Sequence, residues 1–169
     1  MVALRLDEID RRIVALLLQD GRMSSAEITR RIGRLSERSV RYRIERLVRN
    51  HVIIVSAVVQ PQALGYMVIG DVVLEVAPGQ LREVAERLVQ FENVSYVAGS
   101  VGNGDLSIQV YARSNEELLR FVDEVIGNVP GVTRTRTVMV PWKLKDVYQW
   151  HLPAGLDAKE GVKQGGGMV

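Results

Sequence analysis

Six arginines fall within residues 33–50, GRLSERSVRYRIERLVRN. At about 3.6 residues per turn, Val40, Ile44, Leu47 and Val48 gather on one side of a helix through this stretch. The opposite side carries Arg38, Ser39, Tyr42, Glu45, Arg46 and Arg49, and Arg41 and Arg43 flank the boundary, one on each edge. A helix that lies in the major groove of DNA needs this division. Guanidinium groups can clamp guanine or hold phosphates, hydroxyls can reach base edges, and the apolar side packs inward. Ser36 stands where an N-cap belongs. The candidate DNA contacts are therefore Ser36, Arg38, Ser39, Arg41, Tyr42, Arg43, Arg46 and Arg49. The alternative is a solvated outer face, but only Glu37 and Glu45 are available as partners within the helix.

Other chemistry finds little support. With no cysteine, thiol catalysis, disulfides and thiolate-bound metals are excluded. The two histidines, His51 and His151, have no acidic or histidine company at metal-ligand spacing, so neither a metal site nor a catalytic residue is expected. His51 suits the C-terminal end of the arginine helix, and Trp142, Tyr148 and Trp150 suit packing, at a subunit contact if not within the chain. No apolar run is long enough to span a bilayer and no signal-peptide core precedes the first charges, so the default expectation is a cytoplasmic protein. The net charge of +2 conceals a division. Residues 1–60 hold 12 arginines against 7 carboxylates, whereas residues 61–169 hold 10 Lys+Arg against 13 Asp+Glu. A basic first part joined to a mildly acidic remainder suggests that only the former meets a polyanion.

The elements that must position the arginines precede them. Asp7 is a plausible N-cap for a helix with Ile9, Ile13, Leu16 and Leu17 inward, and Gly21 its C-cap. Ser24 and Glu27 have the spacing of a capping box for a short second helix, with Ile28 and Ile32 inward and Gly33 as its stop. The arginine helix follows and closes at Asn50. Three helices with a tight glycine turn before the third have the spacing of a helix-turn-helix. Val52 to Gln60 is β-branched and predicts a wing or arm strand ended by Pro61. The expected division is a helix-turn-helix domain at 1–60, a linker at 61–66, a second domain at 67–150 and a tail at 151–169.

In the second domain, strand and helix patterns alternate as β-α-β-β-α-β, the ferredoxin-like arrangement with an antiparallel sheet, making the whole an α+β protein. Leu81, Val84, Leu88 and Val89 are expected inward on its first helix. Ser114 and Glu117 form a capping box for its second. Val72, Leu74, Ile108, Val110, Val138 and Val140 are the expected apolar residues of an uncovered sheet face, which would drive oligomerisation. Gly102-Asn103-Gly104-Asp105 reads as a hairpin turn with Asp105 bonding its own backbone.

These residues together resemble the Lrp/AsnC, or feast/famine, family of transcription regulators. Leu6-Asp7, Gly21-Arg22, Ser36, Arg43-Ile44 and Leu47 match its DNA-binding half, and the βαββαβ half is similar to its ligand-sensing domain. The resemblance spans about residues 4 to 148. It implies binding to double-stranded DNA and homodimers with sheets packed face to face, often assembled into octamers or larger rings. It also implies an amino-acid or related effector between dimers, with no resident cofactor and no enzymatic activity. The implied effector residues are Val101, Gly102, Asn103, Gly104, Asp105 and Leu106, with Thr135, Thr137 and Met139 on the last strand. A glycine-rich backbone could approach an α-carboxylate and Asp105 an α-ammonium. Gly104 stands where the family usually has an aromatic, and Val101 where Thr or Ser is common. Two alternatives share the fold: an architectural DNA binder of low specificity, and an enzyme similar to sirohaem decarboxylases.

Overall fold

The computed structural model describes residues 4–150; the expected tail at 151–169, with His151, lies outside the described residues. The chain divides into two compact units, residues 4–58 with 145–150, and residues 59–144.

The first unit holds α1 (Glu8–Gln19), α2 (Ser25–Ile32) and α3 (Glu37–Arg49). Asp7 caps α1 reciprocally with Asp10: the Asp10 amide donates to the Asp7 carboxylate (2.8 Å), and the Asp7 amide donates to the Asp10 carboxylate (3.1 Å). The C-cap is Asp20 rather than Gly21. Asp20 leaves the helix in extended backbone and its carboxylate accepts the Arg22 amide (2.9 Å), so a side-chain turn does what a left-handed glycine was expected to do. Ser24 caps α2 through the Glu27 amide. The return bond of a capping box is not formed, because the Glu27 carboxylate is turned to Arg30 and to Arg31 (2.7 Å). Gly33 ends α2 at φ +77°, a left-handed conformation that a side chain would strain. Ile13, Ile28, Val40 and Leu47 meet with no exposed area, each burial contributing about 1.5–3 kcal/mol. Ile9, Leu16, Leu17 and Ile44 pack partly against them. Val48 does not join them and stays exposed. It lies beside Arg41 on α3, past the edge of the stripe buried by α1 and α2.

The expected wing strand over residues 52–60 is not formed; the segment has no strand pairing among the described residues, and Ile54 is 88% exposed. β-branched residues favour extended backbone, but a strand needs a neighbour to bond to. Pro61 opens a short 3-10 turn, Pro61–Leu64, instead of closing a strand.

The second unit runs β1 (Val68–Val76), α4 (Leu81–Leu88), β2 (Val94–Gly99), β3 (Leu106–Ala112), α5 (Asn115–Arg120) and β4 (Val132–Met139). The strands form one antiparallel sheet in the order β2-β3-β1-β4, the ferredoxin-like order read from sequence. Both helices cover the same face. Val72, Leu74, Ile108 and Val110 are therefore core residues under α4 and α5, not members of an open face. The opposite face alternates out of the same strands: Asp71, Val73 and Glu75 on β1, Ser107, Gln109 and Tyr111 on β3, Arg134, Arg136 and Val138 on β4. It is mixed in charge, with Glu75 near Arg134 (3.7 Å) and Gln109 bonded to Asp71 (3.0 Å). On α4, Val84 and Leu88 are buried while Leu81 and Val89 are exposed, because a two-turn helix offers the sheet a narrow stripe. Ser114 caps α5 through the Glu117 amide, and the Glu117 carboxylate accepts the Arg113 amide in place of the capping-box return bond. The second helical stretch continues from α5 as a π-helical turn, Phe121–Ile126.

Candidate nucleic-acid interface

The turn at Gly33 and the Ser36 cap aim α3. Ser36 accepts the Ser39 amide (3.2 Å) and its hydroxyl lies 3.0 Å from the Ser39 hydroxyl, so both serines take part in starting the helix. Val40 and Leu47 anchor the inner side, and Asn50 caps the end through the Arg46 carbonyl. His51 follows in the left-handed region at φ 55° and donates its amide to Val48, terminating the helix as expected.

The six arginines then separate by partner. Arg43 bonds Asp7 (2.7 and 2.9 Å) and Asp10 (2.8 Å) through one nitrogen, and Arg46 bonds the other Asp10 oxygen at 2.5 Å. Asp10 is fully buried, the one such charged residue among those described. The burial of Asp7 works against its ionisation, yet the hydrogen bond and charge of Arg43, with the Asp10 amide, outweigh it and hold the Asp7 pKa below its usual 3.8. Arg43 is raised in turn, chiefly by its bond to Asp7. A search for partners within the helix could not find this cluster, because both carboxylates come from the start of α1. The signal available in the sequence was Asp7 and Asp10 three apart at a helix start.

Arg34, Arg38, Arg41 and Arg49 make no ion pair among the described residues, and Tyr42 is 61% exposed. Arg38, Ser39 and Tyr42 share a groove of about 380 Å³ with Leu35 and the two held arginines. The outer side of α3 thus offers unpaired guanidiniums, a serine hydroxyl and the Tyr42 phenol, which suits phosphates and base edges.

In the second unit, the residues expected to hold an effector fall into two places. The Asp105 carboxylate accepts the Val76 amide (2.7 Å), its own amide donates to the Leu74 carbonyl (2.8 Å), and its carbonyl accepts the Ser100 amide (2.9 Å). The Asp105 side chain thus ties the turn to β1 at the irregularity between Glu75 and Val76, instead of bonding the turn's own backbone as expected, and only its main-chain carbonyl closes the turn. Gly104 is there because the backbone passes close to β1: a Cβ would stand 2.3 Å from a Val73 methyl and 3.1 Å from the Leu74 carbonyl oxygen. Val101, Gly102 and Asn103 are exposed, and Leu106 enters the core. Thr135 and Thr137 instead line a groove of about 740 Å³ with Glu116, Leu119, Arg120, Val122, Asp123 and Glu124, and none of residues 101–106 lines it. Met139 is exposed near the end of β4. Trp142, Tyr148 and Trp150 are also exposed. Among the described residues no group of three or more His, Asp or Glu could hold a metal, and no helix is long and apolar enough to cross a membrane.

Residues 6–48 match the AsnC-type helix-turn-helix domain and residues 72–149 the Lrp/AsnC ligand binding domain. The HTH-type transcriptional regulator FL11 of Pyrococcus abyssi is 39% identical over 136 residues, covering 80% of this chain and 89% of that protein. A feast or famine regulatory protein from M. tuberculosis, solved in complex with L-methionine, is 28% identical with a TM-score of 0.79, covering 88% and 100% of the two chains. E. coli AsnC shares the fold at 21% identity and a TM-score of 0.78, covering 85% and 97%. With both units matched by the family's models and a relative 39% identical along most of its length, the chain belongs to the Lrp/AsnC family of transcription regulators.

Proposed function

We propose that this protein regulates transcription by binding duplex DNA in a sequence-specific manner, with the outer side of α3 in the major groove. The observation that carries the reading is the division of α3: among the described residues Arg38, Arg41 and Arg49 make no ion pair beside an exposed Tyr42, while Arg43 and Arg46 are held by α1. In this reading Arg38 and Tyr42 read bases, with Ser39 beside them, and Arg41 and Arg49 hold phosphates. Fluorescence anisotropy against the DNA upstream of its own gene tests it. The double variant Arg41→Ala/Arg49→Ala should lose most of the affinity, and unchanged binding would refute the placement of α3.

The protein acts as a homodimer in this reading, built on the uncovered sheet face. That face carries Asp71 and Glu75 on β1 beside Arg134 and Arg136 on β4, so a two-fold axis can set acids of one copy against arginines of the other. Further assembly of dimers, a cytoplasmic setting and an amino-acid effector belong to the same proposal. The M. tuberculosis relative was solved with L-methionine. Here the α5–β4 groove is the better seat, since it combines Arg120, three carboxylates and two threonine hydroxyls, whereas the Asp105 carboxylate is already committed to β1. A thermal-shift screen of the twenty amino acids, repeated with Thr137→Val, separates the two places. A ligand whose shift survives in that variant would argue against the groove.

A further inference from the structure

We propose that Asp10, assisted by Asp7, is a specificity-setting positioning residue: it withholds the Arg43 and Arg46 guanidiniums from the DNA backbone. This keeps sequence-independent affinity low and fixes which side of α3 meets the bases. The inference rests on the DNA-binding reading above.

Four observations converge on it. Asp10 is a carboxylate with no exposed surface, and both its oxygens are used, one by Arg43 and the other by Arg46 and the Asp7 amide. Two aspartates face two arginines, so the cluster is neutral, and its positive charge is not offered to solvent as a pair of free guanidiniums would be. Arg43 and Arg46 also line the groove shared by Arg38, Ser39 and Tyr42, so the held arginines stand beside the face that would meet DNA. Once released they would be within reach of it. Finally, the Arg46 Nε is buried without a hydrogen-bond partner among the described residues. Its terminal nitrogen is held instead by the 2.5 Å bond to Asp10.

Every phosphate contact adds affinity that is blind to sequence and steepens the dependence on salt. An arginine-rich helix with all its cations free would bind any duplex well. Tying two of them to the first helix lowers that common term while leaving base contacts intact, which raises the ratio of specific to non-specific binding. The same tie joins α3 to the N-cap of α1, so the rotation of α3 about its axis is set by residues that never touch DNA.

The test uses the full chain and measures anisotropy over a salt series, with the upstream duplex and a scrambled duplex of equal length. Asp10→Asn and Asp7→Asn are compared with Glu8→Gln, which removes an exposed carboxylate from the same turn and so reports the generic effect of lost charge. Asp10→Asn should bind the scrambled duplex several-fold more tightly than the control variant. The slope of log K against log salt should steepen by roughly 0.9 for each arginine released, and the specificity ratio should fall. Adding Arg43→Gln and Arg46→Gln to Asp10→Asn should return the slope to that of the control. A slope matching Glu8→Gln, or equal loss of affinity for both duplexes, would mean that the cluster only supports the fold and would overturn the proposal. Should Asp10→Asn fail to fold, Asp7→Asn, whose side chain is half exposed, decides by the same slope. If the unmodified protein binds neither duplex, the DNA-binding reading itself falls first.

Discussion

At the scale of single residues, the arginines of α3 are distinguished by what holds them, not by where they sit in the sequence. Arg38 and Tyr42 project from the outer side without partners among the described residues, so Arg38→Ala or Tyr42→Ala should flatten base preference by about 1–3 kcal/mol at the affected position. Arg41→Ala should weaken all duplexes alike. Binding to a panel of singly substituted sites distinguishes the two outcomes, and identical profiles for the three variants would refute the assignment. Periodicity was enough to find the outer side, because it depends only on helical geometry. It could not see that Arg43 and Arg46 belong to Asp7 and Asp10, since that contact crosses between helices more than thirty residues apart in sequence. Gly104 makes the same point in the second unit. As a sequence position it looked like a missing aromatic wall; in the fold it is the place where a Cβ would strike Val73 and crowd the Leu74 carbonyl. Gly104→Ala should therefore destabilise the protein by about 1–3 kcal/mol, measured by urea unfolding, and an unchanged midpoint would show that β1 yields freely there.

At the scale of elements, caps and stripes were legible and pairings less so. Asp7, Ser24, Ser36 and Ser114 all cap the helices they were expected to start, because a cap is a local bond between residues three apart. The return bonds of the expected boxes failed at Glu27 and Glu117, whose carboxylates found nearer partners in Arg30, Arg31 and the Arg113 amide. The strand expected at residues 52–60 failed for a different reason: the propensity was present, but among the described residues no strand pairs with it. The tie between α1 and α3 has a pH signature. The Asp7 pKa is lowered in the folded protein, so between the folded and unfolded values the unfolded chain binds more protons and stability rises with pH. That contribution is fully present above the usual 3.8 and is lost as pH falls through the lower folded value. Urea midpoints of the helical unit should drop on acidification, and Asp7→Asn should have a shallower drop. Parallel curves for the two proteins would remove Asp7 from the account.

At the scale of the whole molecule, two compact units divide the work: one carries the basic helix, the other the sheet. The β-α-β-β-α-β succession was legible from alternation, and the ferredoxin-like class it implied matches the strand order β2-β3-β1-β4. Which face of the sheet stays open was not, because six valines, leucines and isoleucines look alike until the helices choose a side. The open face is mixed in charge, so the proposed pairing of two copies through it should be sensitive to sign. Arg136→Glu should shift the sedimentation equilibrium towards monomer, and an unaltered assembly would place the dimer contact elsewhere. The central claim is that α3 binds DNA through base contacts supported by a small set of phosphate-holding arginines. It is tested most directly by the salt dependence of binding to the upstream duplex, measured beside a scrambled duplex. With Arg41 and Arg49 from each protomer of the proposed dimer, log K should fall with log salt at a slope of about −3.6 or steeper, and the upstream duplex should stay the tighter of the two throughout. A flat salt response, or equal affinity for both duplexes at every salt concentration, would contradict it.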